Sequence, residues 1–380
     1  MAVRSPMRGF YNRNRPSPLP PFIAQLPYDL FVTEPKLSTS EDDQQLTELL
    51  LEYHNTLTPS SSDLQSLTHL VNRVCAVIES LIVNPAEFTS GQIEEVKCVG
   101  SFKLGTWLNK HNTADLVVIL RTLPTTEAVK GLQSVLKKRL DADTKAPKDQ
   151  CVVSTHAYGF SVSADEFSVR AFLTTTPVHL SKADPSLHIP PSTQKMALSA
   201  IKQTRWLEEN ASHTAVKVIT RIMKDFRARF QGFRYLSSWM INLLAYYVVM
   251  QNPSRQALPV HQAFRRLFQL LSAGLFLPGS AGVIDPCEPG NIRLHTALSL
   301  AAQDELCCTA QTLLRVLLNG GYQVLFHFDE NLDGATREQF LKAASEECKV
   351  PTKWSEMVGL LPGAECPSPE TSEPADSLTP

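Results

Sequence analysis

Residues 114 to 120, Ala114-Asp115-Leu116-Val117-Val118-Ile119-Leu120, form an uninterrupted aliphatic and β-branched run with one acid near its start. A stretch that is apolar at odd and even positions alike predicts a strand buried on both faces. Shortly before it, Glu95 to Val99 reads as another strand, and Gly100-Ser101 turns out of that strand toward a short helix. The local order is strand, glycine turn, short helix, strand. Such a turn offers backbone N–H groups, a hydroxyl and the positive end of a helix to phosphate oxygens. Gly100 and Ser101 are therefore candidate triphosphate contacts. A Gly-Ser pair by itself is usually only a turn; an Asp beginning a buried strand close behind it makes the combination much more specific.

Around this segment the amino-terminal half alternates helices and strands. Ser62 with Gln65 fits a capping box, and Leu64, Leu67, Val71, Val74, Ile78, Leu81 and Ile82 then recur at helical spacing. A helix with Val129, Leu132, Val135 and Leu136 on one face follows the buried strand. Extended segments are predicted over Cys151 to Ser163 and Phe167 to Thr175, separated by Asp165-Glu166. From Ser192 the pattern turns helical, with helices expected near 194–210, 213–229, 237–250, 258–273 and 305–319. The fold class is α+β and bilobed: a mixed-sheet lobe over 26–190 and an all-helical lobe over 191–345. They lie between an Arg/Pro-containing arm over 1–25, expected to be disordered, and a largely disordered tail over 346–380.

Charge and cysteine usage exclude several functions. With 36 Lys and Arg against 38 Asp and Glu, the chain has a net charge of −2, so it lacks the basic excess of a protein that neutralises many phosphates alone. The one compact basic run, Lys137-Lys138-Arg139, reads as a solvated helix face, and no zinc-finger, helix-turn-helix or basic-zipper pattern is present. The cysteines, Cys75, Cys98, Cys151, Cys287, Cys307, Cys308, Cys348 and Cys366, show neither metal-ligand spacing nor a disulfide framework. The strongest apolar run, Trp239 to Met250, is short for a bilayer span. A soluble chain without a membrane partner is expected.

The segment Val99 to Thr106 with Thr113-Ala114-Asp115 resembles the nucleotidyltransferase superfamily, especially its template-independent, oligoadenylate-synthetase-like branch. Longer blocks, Gln92 through Leu120, Arg205 to Ala211, Ala273 to Ser280 and Asp285-Pro286-Cys287-Glu288, resemble the DZF domain family within it. In active members an Asp-x-Asp pair and a third carboxylate on a neighbouring strand hold two magnesium ions, which clamp the attacking and leaving oxygens. Here Asp115 fills the second position of the pair and Thr113 stands in the first. No acid occurs from Phe167 to Ala183, where Ser168-Val169-Arg170-Ala171-Phe172-Leu173 is the corresponding strand. The resemblance thus implies a pseudo-nucleotidyltransferase with no catalytic metal and two of three carboxylates missing. The alternative is an active template-independent enzyme that recruits Asp165 or Glu166.

By the same resemblance a nucleoside triphosphate would be gripped by Gly100, Ser101, Asp115, Arg221, Lys224 and Ser237. Each has a plainer reading: Arg221 and Lys224 as solvated helix residues, Ser237 as a helix cap, and Asp115 as an acid held by neighbouring amides. Arg205-Trp206 either stacks a base or packs helix to helix, and Cys307-Cys308 belongs to a core. The family relation implies a heterodimer with a DZF-containing double-stranded-RNA-binding protein. RNA would be bound mainly through that partner, with indirect association with DNA or chromatin, in the nucleus, the nucleolus and some cytoplasmic ribonucleoprotein. Leu267, Phe268, Leu271, Leu275 and Phe276 are the candidate dimer interface.

Overall fold

The computed structural model describes residues 40–142, 151–184, 186–318 and 322–327; the arm and the tail expected at the two ends lie outside them. The chain runs α1 (Ser40–Leu57), α2 (Ser61–Val83), β1 (Ile93–Val99), α3 (Gly100–Lys103), β2 (Thr113–Leu120), α4 (Thr126–Ala142), β3 (Val152–His156), β4 (Gly159–Ala164) and β5 (Phe167–Thr175). It continues through α5 (Pro177–Leu180), α6 (Pro191–Asn210), α7 (Thr214–Arg229), α8 (Ser238–Met250), α9 (Val260–Ser272), α10 (Leu300–Leu318) and α11 (Tyr322–His327). The architecture is α+β, a mixed-sheet lobe followed by a helical one.

The five strands form one sheet in the order β1-β2-β5-β4-β3. β2 and β5 are parallel, and the other neighbours are antiparallel. Side chains alternate along β2. Ala114, Leu116, Val118 and Leu120 enter the core under α2 and α4, while Val117 meets Val99 and Ala197 of α6 on the opposite face. Both faces of the strand are covered, as its unbroken apolar run requires. The segment expected to be extended over 151–163 is a hairpin of β3 and β4, with Ala157-Tyr158 at its turn. That pair carries none of the Asn-Gly or Asp-Gly signal of a two-residue turn. α2 is capped by Ser60, not Ser62: the Ser60 hydroxyl accepts from the Asp63 N–H and the Asp63 carboxylate accepts from the Ser60 N–H. Among the described residues α2 alone is long and apolar enough to cross a membrane, yet Leu67, Leu70, Val71, Val74, Ile78 and Leu81 are buried against the sheet.

The lobe boundaries differ from those expected in two places. α6 joins the lobes rather than belonging wholly to the helical one: Ala197, Ala200 and Ile201 pack on Val99, Val117 and Phe172 of the sheet, while Leu207 near its end is buried in the helical core. α1, first in the described chain, belongs to the helical lobe, where Leu46, Leu50 and Leu57 are buried among residues of α7, α8 and α9. An ion pair between Asp43 and Arg265 fixes α1 to α9, and Tyr53 donates to Asp225 Oδ2 of α7 at 2.5 Å.

The helical lobe closes on a cluster of aromatic rings, with Phe226–Phe230 and Phe264–Phe268 centroids each 5.0 Å apart. Leu267, Phe268, Leu271 and Leu275 have no exposed surface and Phe276 is 1% exposed. The expectation that these five form a dimer interface is therefore corrected: they are consumed by the lobe's own core. An apolar run in a wholly buried helical layer has the same composition as one reserved for a partner. Cys307 is buried in the structure and Cys308 half-buried.

Candidate functional site

The parallel register of β2 and β5 places Thr113 beside Ser168 and Asp115 beside Arg170. With a side-chain period of two, these four residues point to the same face of the sheet, away from α2 and α4. The hydroxyls of Thr113 and Ser168 are 3.4 Å apart. Arg170 Nε donates to Asp115 Oδ1 at 2.8 Å and its Nη2 donates to Oδ2 at 3.1 Å. Asp115 is thus held by a fork-like guanidinium pair, not by neighbouring amides.

Above this face lies a cleft of about 380 Å³ between the lobes, lined by Gly100, Ser101, His111, Thr113, Asp115 and Arg170 from one side and by Lys224, Arg227, Ser238, Trp239 and Asn242 from the other. That size suits a small-molecule site. Gly100 leads from β1 into α3 at φ +73°, a left-handed conformation in which a Cβ would stand 3.3 Å from Asp115 Oδ2. Glycine is what lets the turn approach the acid. The Gly100 N–H donates to Thr204 Oγ1 of α6 at 3.1 Å, so the expected cradle has its first amide already engaged. α3 is a single turn and carries little of a helix dipole.

Positive charge comes from α7. Lys224 is 7% exposed, and its ammonium donates to Thr106 O at 2.9 Å and Thr106 Oγ1 at 3.1 Å. Burial, followed by the charges of Arg227 and Arg221, brings its pKa from 10.5 down to about 7. Arg227 donates to Leu236 O at 3.0 Å and Ser238 Oγ at 3.3 Å. Burial, then Arg227, Lys224 and Lys110, lowers His111, which favours its neutral form. Among the described residues lining the cleft, Asp115 is the only carboxylate.

Of the sequence candidates, Gly100, Ser101, Thr113, Asp115 and Lys224 are brought together. Arg221 is not: it donates to Gly105 O at 2.9 Å, Trp107 O at 3.2 Å and Thr58 Oγ1 at 3.2 Å, and its Nη1 lies 3.1 Å from His54 Nε2. It clasps one lobe to the other, and burial with the Arg221 charge holds His54 at a pKa of about 4. Ser237 is the cap of α8, accepting from the Met240 N–H at 3.1 Å; its neighbour Ser238 lines the cleft. Trp206 packs edge-on against Trp239 and Tyr246, with centroids 6.2 and 4.9 Å away, and Arg205 pairs with Glu209 at 2.9 Å in the open. Arg139 of the basic run is bonded to Glu87 at 2.6 Å.

Arg170, Arg227 and Thr204 are cleft residues that the sequence reading did not assign. The Thr220-Arg221-Ile222-Met223-Lys224 spacing pointed to α7, and one further helical step from Lys224 reaches Arg227. A pair of divalent ions requires several anionic oxygen ligands. Thr113, Asp115, Ser168 and Arg170 supply one carboxylate, already bonded by a guanidinium, and do not fit such a centre.

Fold and site together define a bilobed α+β protein with a cationic interlobe cleft. The DZF N-terminal domain matches residues 6–212 and the DZF C-terminal domain residues 215–343. The chain belongs to the DZF family. Similar solved structures include E. coli MS115-1 CdnC with HORMA-deltaN, at 14% identity over 81% of this chain and 96% of that one, with a TM-score of 0.49. The E. coli MS115-1 CdnC structure with ATP shows 14% identity over 82% and 98%, with a TM-score of 0.48. Cid1 with its short product ApU shows 11% identity over 60% and 73%, with a TM-score of 0.40.

Proposed function

We propose that this chain is a catalytically silent, nucleotidyltransferase-type subunit. It takes a nucleoside triphosphate into the interlobe cleft and pairs with a DZF-containing double-stranded-RNA-binding protein, acting in nuclear transcriptional control and RNA processing. The observation that carries the silent half is the Asp115–Arg170 pair: the one carboxylate among the described cleft residues is bonded through both oxygens to a guanidinium. Without carboxylates free to anchor metal ions, an in-line displacement has nothing to activate the attacking oxygen or stabilise the leaving one. Binding is supported by the buried Lys224 and the half-buried Arg227 of α7, which line the cleft together with Ser101.

The active alternative needs a replacement acid. Asp165 lines a separate pocket with Gln65, His69 and Arg73, and Glu166 is absent from the residues that line the cleft. The pairing half rests on membership of the DZF family and on apolar side chains left outside the core, Ile284 and Ile292, which are 49% and 48% exposed; the two segments that carry them are tied by the Asp285 N–H donating to Ile292 O at 2.8 Å.

The test is co-expression with the DZF domain of such a partner, followed by sizing and a turnover assay with labelled nucleoside triphosphates and magnesium or manganese. A 1:1 complex that binds nucleotide and releases no pyrophosphate is expected. Turnover by the lone chain would overturn the proposal.

A further inference from the structure

The wall that would hold metal ions in a two-metal enzyme has here the opposite sign of charge. Among the described residues, three cationic side chains, Arg170, Lys224 and Arg227, line the cleft with one carboxylate, Asp115. That carboxylate is bonded at 2.8 and 3.1 Å to Arg170. A dication seeking Asp115 would have to displace the guanidinium from both oxygens and then remain beside it. A phosphate oxygen meets the reverse situation. Arg170 spends two of its five N–H donors on Asp115, and a guanidinium offers the remainder in a planar fork suited to phosphate.

Arg170 is also well placed to keep its position. It stands in strand register with Asp115, and its guanidinium carbon lies 5.8 Å from the ring centroid of Phe172, two residues along β5. Lys224 and Arg227 are each bonded to carbonyl or hydroxyl oxygens, not to a carboxylate. Their charges are therefore not cancelled by an acid within the cleft.

From this geometry we infer that the cleft binds polyphosphate directly, with Arg170, Lys224 and Arg227 in the role that divalent ions play elsewhere, so that magnesium is dispensable for binding. This rests on the proposed nucleotide-binding reading and specifies the form of the ligand, a metal-free nucleoside triphosphate or inorganic triphosphate.

The experiment is calorimetric titration of the full chain with ATP and with inorganic triphosphate, once in excess magnesium and once in EDTA. The expected dissociation constants agree within about threefold between the two conditions. Arg170→Ala should weaken binding in EDTA by about tenfold, the loss of a charge-assisted hydrogen bond. The double variant Thr113→Asp with Arg170→Asp should restore a requirement for magnesium. Binding in magnesium that weakens tenfold or more in EDTA would overturn this inference and leave the nucleotide-binding reading intact. No binding of either ligand under either condition would overturn both. Circular dichroism matching the parent chain shows that each variant is folded.

Discussion

Arg170 stands directly opposite Asp115 across the parallel β2–β5 ladder and bonds both of its carboxylate oxygens. The Arg170 side chain is 46% exposed and that of Asp115 23%, so water screens the pair and its contribution to stability is small. Arg170→Ala should cost about 1 kcal/mol or less in urea denaturation. A loss of 3 kcal/mol or more, on the scale of removing one partner of a buried pair, would show that the pair is a structural pillar and would remove the case for reading it as a site device.

Lys224 makes phosphate binding dependent on pH. Arg221 and Arg227 share its helix, Thr106 faces it from the sheet lobe, and His111 nearby is held toward its neutral form. With a pKa of about 7 in the free protein, Lys224 is charged below that pH and loses its proton above it, whereas a bound phosphate favours the charged form. Affinity for triphosphate should therefore fall by about tenfold between pH 7 and 8.5, and Lys224→Arg should flatten the profile. The effect on stability has the opposite sense. From pH 7 to 10.5 the unfolded chain retains a lysine proton that the folded chain has released, so folding stability gains with rising pH across that window. A flat affinity profile in the parent chain would exclude Lys224 as a phosphate contact.

Arg221 is a clasp between the lobes. Arg221→Ala leaves the carbonyls of Gly105 and Trp107 without this donor, and a loss of about 2–4 kcal/mol is expected. Arg221→Lys should recover only part of it, because an ammonium cannot reproduce the guanidinium fork. Thermal unfolding of the two variants checks the order.

Gly100→Ala strains the turn at φ +73° and pushes a methyl group to 3.3 Å from Asp115 Oδ2. The expected cost is about 1–2 kcal/mol, with weaker nucleotide binding as the acid shifts. Equal affinity in the variant would mean that the Gly100 turn does not set the position of Asp115.

Core and interface should separate cleanly in the helical lobe. Phe268→Ala removes a fully buried ring and should destabilise the lone chain by about 3–5 kcal/mol. Ile284→Asp, at a half-exposed position, should change the chain's own stability by no more than about 0.5 kcal/mol and lower recovery of the co-expressed complex. Unchanged pairing in Ile284→Asp would move the interface elsewhere.

What the sequence revealed of the site was what lies close together in it. Gly100, Ser101 and Asp115 fall within one strand–turn–helix–strand unit, where spacing alone sets their geometry. The Asp115–Arg170 contact was not readable, because it depends on the register of two strands 55 residues apart, and the composition of either strand does not state that register. Ser237 and Ser238 show the same limit at finer scale: both fit a helix start, and only the backbone decides that the first caps the helix while the second faces the cleft. Leu267, Phe268, Leu271, Leu275 and Phe276 were recognisable as apolar helix and loop residues, but whether such a face meets its own lobe or a partner is set by elements far away in the chain. α1 escaped the helical reading for a related reason, since its acidic, polar start dilutes the periodicity carried by Leu46 and Leu50.

The placement of α1 also has a consequence in time. During synthesis α1 emerges ahead of the entire sheet lobe, yet the helices that cover Leu46 and Leu50 follow only from Thr214 onward. At ordinary elongation rates that interval is roughly ten to thirty seconds. The nascent chain therefore carries an uncovered leucine stripe past a sheet lobe that is already folding, and the helical lobe can close only by drawing its earliest segment back to its latest.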